Sequence, residues 1–102
     1  MIDVTYLEKK QLALLRHLKI AGEKLFKLKI HDDLSPIGWH IIHCLYVECI
    51  WIRSQFLDDS ELANKLKDIA DGINIKPKNR GINLPNYEYL YKLTKNEFNR
   101  NL

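Results

Sequence analysis

The sequence has no apolar run of 18 residues, so no stretch of it reads as a bilayer-spanning helix. Glycine is scarce, at four residues, and proline scarcer, at three. That excludes collagen-like and low-complexity chains. Only two cysteines occur, Cys44 and Cys49, five positions apart. On one helix they point in different directions, so no local disulfide is expected. They read as reduced core thiols of a reducing compartment. The N-terminus, MIDVTYLEKK, is charged where a signal peptide carries its apolar core, so the expected location is cytoplasmic. There is no GxSxG, no phosphate loop, no CxxC and no HExxH. The enzyme classes built on those motifs are left without a signature.

What is present is ordinary globular material. Hydrophobic residues make up 46% and charged residues 28% of 102 residues. A chain of this length can bury a core without disulfides or a structural metal, so residues 1–102 read as a single domain. The net charge is +3. The excess sits late: residues 76–102 hold six basic residues against two acidic ones. That is too sparse for the basic patch of a nucleic-acid reader. Tyr87, Tyr89 and Tyr91 beside Lys92 and Lys95 fit helix packing better than base stacking.

Apolar spacing gives helices and no strand alternation. The first spans about residues 5–28, on a stripe of Leu7, Leu14, Leu18, Ala21, Leu25 and Leu28, with Asp3 or Thr5 as a cap. Gly22 lies inside it, where a small residue lets a neighbour approach. His31-Asp32-Asp33-Leu34 reads as a turn. Ser35-Pro36 reads as a cap and a first helical position. The second helix runs to about residue 57 and is apolar almost all round between 37 and 52. Such a helix is central and buried on most sides. Asp58-Asp59-Ser60 offers caps for a short helix over residues 61–71, which Gly72 stops. Residues 73–85 form an irregular connector, long for a helix–helix loop. Asn86 caps a last helix over about 87–99, with Tyr87, Leu90, Tyr91, Thr94 and Phe98 inward. The fold class is all-α, an up-and-down helical bundle.

Four chemically able side chains sit in the oily second helix: His40, His43, Cys44 and Glu48. At about 100° per residue they fall within an arc of roughly 140°, with His40, Cys44 and Glu48 along one edge. Imidazole, thiolate and carboxylate are ordinary ligands of zinc, iron or nickel. An HxxH pair supplies two donors where a stable site needs three or four. The structural reading stands beside this. Cys44 packs as a small hydrophobe. Glu48 needs a partner such as Arg53, Arg80 or a histidine. Trp39, Tyr46 and Trp51 pack in the core.

The run LSPIGWHIIHCLYVECIWI over residues 34–52 resembles the second helix of a DinB-like domain. That domain begins the ergothioneine-synthase type of iron-dependent sulfoxide synthases. Its pattern is close to SPxxWxxxHxxxxEExWL, whose positions are held here by Ser35, Pro36, Trp39, His43, Glu48 and Trp51. The connector KPKNRGINLPNYEYL is similar to the family's Pro-rich, Arg-Gly segment. The two blocks cover residues 34–90. The resemblance implies a four-helix bundle with a divalent metal between its helices and His43 as the ligand from this helix. It implies substrate-carboxylate binding for Arg80 and a structural role for Glu48. His40 falls at a variable position of the pattern.

The departure from the family is the missing HxxxH pair of a later helix. No histidine follows His43. Against the family's plan the chain is expected to be a partial DinB-like domain that lacks the last helix and has an incomplete metal site. A bundle short of one helix leaves an apolar face on residues 37–52. A homodimer or a partner protein is expected to cover it. Two functions follow: a non-catalytic dimerisation or interaction domain, or the metal-binding first part of a DinB-type metal-dependent enzyme. His17 and His31 are expected in solvent.

Overall fold

The computed structural model describes residues 4–31 and 33–102. Asp3, one of the two expected caps, lies outside the described residues, as does Asp32 of the expected turn. Four α-helices and no strand occur among the described residues. They are α1 (Val4–Leu25), α2 (Ile37–Glu48), α3 (Glu61–Ala70) and α4 (Tyr87–Arg100). The chain is all-α. No helix is long and apolar enough to cross a membrane.

α2 is the centre. It packs against α1, α3 and α4. Trp39, Ile41, Ile42, Leu45, Tyr46 and Cys49 are buried along it, facing Leu15 and Leu18 of α1, Ala63, Leu66 and Ala70 of α3, and Leu90 and Phe98 of α4. Burying a side chain of this size contributes about 1.5–3 kcal/mol. Thr94, also buried on α4, satisfies its hydroxyl on the Leu90 carbonyl at 2.8 Å.

α1 departs from the expected stripe. Leu18 is buried and Leu7, Leu14 and Ala21 are half-buried, while Leu25 and Leu28 are exposed. The cause is Gly22, at φ 69° and ψ −175°, a region almost confined to glycine. A Cβ there would meet nothing within 4 Å. The glycine therefore serves the backbone and not a close approach. The chain kinks, and Phe26 is buried in place of Leu25, edge-on to Tyr87 at 5.6 Å.

α2 starts one residue later than expected. Pro36, in extended conformation, is the cap position, and its carbonyl takes the N–H groups of Trp39 and His40. The helix then widens into a π-turn, Cys49–Ser54. A turn closed by i→i+5 bonds holds more residues, so each advances the face by less. Arg53 is thereby carried into the core, while Ile52 is half-buried and Trp51 faces out. Trp51 is 63% exposed, which corrects its assignment to the core.

α3 ends without a left-handed glycine. Asp71 is the cap residue, and its carboxylate accepts from the Ile73 N–H at 2.9 Å. α4 begins as expected, with Asn86 Oδ1 accepting from the Tyr89 N–H at 2.9 Å. The connector between α3 and α4 contains one 3-10 turn, Pro77–Asn79.

Candidate functional site

The site is built on the α2 face that meets the connector. Trp39 is fixed first: its indole N–H donates to the Ile69 carbonyl at 2.8 Å. One turn on, His43 Nδ1 lies 2.6 Å from the Ala70 carbonyl oxygen. A carbonyl only accepts, so Nδ1 carries a proton, and the tautomer this selects has its lone pair on Nε2. Both rings thus tie down the last carbonyls of α3. They stack, with centroids 4.6 Å apart and planes at 10°.

Gly72 follows from this. A Cβ there would sit 2.8 Å from His43 Cε1. Its role is to leave room for the imidazole. Arg80 closes the other side. Its guanidinium lies 4.5 Å from the Trp39 ring centroid. Its Nε donates to the Ile75 carbonyl at 3.0 Å and one terminal nitrogen to the Gly72 carbonyl at 2.9 Å. Gly81 lets the connector cross the start of α2: it has φ +92°, and a Cβ would stand 2.6 Å from the Pro36 ring.

Together these residues line an open groove of about 670 Å3. Its floor and walls are Trp39, His40, His43, Tyr46, Val47, Ile50 and Trp51 from α2 and the π-turn, with Asp71, Gly72, Ile73 and Arg80 from the facing segment. Most of the lining is apolar. Ile73 is 94% exposed at its rim. His40 stands edge-on to Trp39 at 5.5 Å. Partial burial, then His43, then Arg80 hold its pKa below the usual histidine value, against a backbone hydrogen bond to Ser35. Burial and the Asp71 charge push the Tyr46 hydroxyl up.

The structure therefore brings together His40, His43 and Arg80. It takes Cys44 and Glu48 elsewhere, because on α2 they lie past His40, on the side away from Trp39 and His43. Cys44 is half-buried against the core, and burial followed by the Glu48 charge raises its thiol pKa. Glu48 faces α1 and α4. One of its oxygens accepts from Gln11 Nε2 and from Asn101 Nδ2, each at 2.9 Å. Its hydrogen-bond partners are neutral amides and neither an arginine nor a histidine. Burial dominates and raises its pKa; Asn101, Gln11 and Arg53 pull the other way. Arg53 is committed to α4: to Asn101 Oδ1 at 2.6 Å and to the Glu97 carboxylate at 2.7 Å.

Among the described residues no group of three or more His, Cys, Asp or Glu side chains is placed to hold a metal. His17 and His31 are exposed. Sequence reasoning missed Val47, Ile50 and Ile73 as groove residues. The spacing Trp39, His43, Val47, Ile50, Trp51 along one side of α2 and the π-turn was the available signal for the first two, and Ile73, on the connector, had none.

No protein-family model matches the chain, no curated protein matches it, and no solved structure matches it.

Proposed function

We propose that the chain is a DinB-like helical bundle acting as a non-catalytic interaction domain, with the α2 groove as its docking face. The observation that carries this is Trp51. An indole 63% exposed on the wall of a concave, mainly apolar groove is the kind of anchor that interfaces bury. The DinB-like assignment rests on the motif positions of Ser35, Pro36, Trp39, His43, Glu48 and Trp51 and on the all-α order of elements. The non-catalytic part rests on the dispersal of the candidate ligands. His40 and His43 line the groove, Cys44 packs against the core, and Glu48 binds Gln11 and Asn101.

A second reading, the metal-binding part of a DinB-type enzyme, is favoured by one contact. The His43–Ala70 hydrogen bond orients Nε2 as an unprotonated donor, the way metal-ligating histidines are held. The other donors do not converge with it. Among the described residues there is one well-oriented ligand and no group of three or more donors that would fit iron, zinc or nickel.

The test is metal content and molar mass of one chromatographic peak, after incubation with iron, zinc or nickel and removal of the excess. The interaction reading expects far less than one metal per chain. A ratio near one per chain overturns the non-catalytic reading and restores the second.

A further inference from the structure

Asp71 is the one aspartate followed by glycine, and no asparagine is. An aspartate before glycine is a weak point of a backbone, because no side chain shields the next nitrogen. The Gly72 nitrogen can attack Cγ of Asp71 and give up its proton, while a carboxyl oxygen leaves as water. A five-membered imide results. Water reopens it at either carbonyl. One opening restores the aspartate; the other leaves the main chain running through the β-carboxyl, as isoaspartate. No oxidant or other reactant is needed.

The fold imposes this pair. A Cβ at Gly72 would sit 2.8 Å from His43 Cε1, so the imidazole calls for glycine after Asp71. The same surroundings hold the pair closed. Asp71 is 7% exposed. Its Oδ1 accepts from the Ile73 N–H at 2.9 Å and the Asn74 N–H at 3.4 Å. Its Oδ2 accepts from the Asn74 side-chain amide at 2.6 Å. The flanking carbonyls are also held, Ala70 by His43 and Gly72 by Arg80. Closing the imide has to turn the carboxyl carbon away from these donors. The donors, the Asn74 side chain first and the Ile73 N–H next, also keep the carboxyl pKa below its ordinary value. The group stays ionised, and an ionised carboxylate has no water to release.

We propose that Asp71–Gly72 is the chain's site of isoaspartate formation and that the Asn74 amide holds it closed. Rearrangement then tracks local opening of the turn after α3, and not the age of the protein alone. The product carries one extra main-chain carbon between the two carbonyls that hold His43 and Arg80.

The test ages the wild-type chain, Asn74→Ala and a synthetic peptide of residues 66–80 side by side in mildly acidic buffer. After digestion, chromatography separates the α- and β-linked peptides, which have equal mass. The synthetic peptide is expected to accumulate isoaspartate at position 71, and folded wild type to do so at least about 10-fold more slowly. Asn74 is exposed, so Asn74→Ala is expected to keep its fold and to rearrange several-fold faster than wild type. Wild type that ages as fast as the peptide overturns the proposal, and so does isoaspartate appearing first at another position. A folded Asn74→Ala that ages no faster than wild type overturns the assignment to Asn74. If that variant unfolds, wild type in rising denaturant takes its place. Isoaspartate at position 71 must then increase before global unfolding, and an increase only with global unfolding overturns local control.

Discussion

Two carboxylates, half-buried Glu48 and buried Asp71, respond to pH in opposite directions. Glu48 has a raised pKa, chiefly from burial, so the folded state holds its proton more tightly than the unfolded chain does. Its stabilising effect is full below the ordinary carboxylate value, about 4.3, and is lost as pH rises through the folded value. Glu48→Gln keeps an acceptor oxygen for Gln11 and Asn101 and carries no charge. Its stability relative to wild type is expected to rise from about pH 4 toward neutrality, as denaturant melts across that range will show. Asp71 is the reverse. The Asn74 side chain first, then the Ile73 N–H, lower its pKa. Its contribution is present above the unfolded value and fades as pH falls through the folded one. Asp71→Asn is therefore most destabilising at neutral pH, with the deficit shrinking under acid. Gly72 supplies a third test at this scale. Gly72→Ala drives a methyl group into a His43 ring that is both stacked and hydrogen-bonded. A loss of about 1–3 kcal/mol in urea unfolding is expected, partly recovered when His43→Ala is added. None of the three was legible at residue level. Glu48 was recognised as needing a partner, but the partners lie 37 and 53 residues away in sequence.

At the scale of elements, legibility followed local chemistry. The α4 start was readable because Asn86 acts on its own next turn. α3 was readable because its apolar face is narrow and periodic. The two errors were both changes of phase. Spacing rules assume an unbroken 100° step, and neither the Gly22 kink nor the π-turn at Cys49–Ser54 obeys it. Gly22→Ala is expected to lower stability by about 1–3 kcal/mol in thermal melts, because the position requires backbone that an L side chain strains to adopt. The π-turn delivers Arg53 to α4, where it bonds Asn101 and Glu97. Arg53→Ala leaves the Glu97 charge and the Asn101 amide without that partner. Arg100 still pairs with the Glu97 carboxylate at 3.2 Å, so a loss of about 1–3 kcal/mol is expected, measurable by denaturant unfolding.

At the scale of the molecule, one helix does most of the organising. α2 touches every other helix, so its apolar runs announced a central element correctly. The same runs concealed the groove. A helix apolar all round leaves no polar stripe to mark its solvent face, and Trp51 looked as ready for the core as Trp39. What separates them is tertiary. Trp39 finds a carbonyl on α3 for its N–H and a guanidinium over its ring, whereas Trp51 lies past the change of phase. The His40, His43 and Arg80 grouping was half legible. The histidines are neighbours on one helix, but Arg80 reaches them only because the connector folds back across Pro36.

The thiols carry a practical consequence of this arrangement. Burial raises the pKa of both Cys44 and Cys49, so each is protonated and slow to react in the folded chain. Cys44 is half-buried and Cys49 fully buried, one on each side of the junction where α2 becomes the π-turn. The chain thus contains two clocks. Alkylation of Cys44 times small excursions of α2, and alkylation of Cys49 times opening of the core. If the rates converge as denaturant is added, the junction opens with the whole fold; if Cys49 stays fast relative to global unfolding, the widened turn is a separate door.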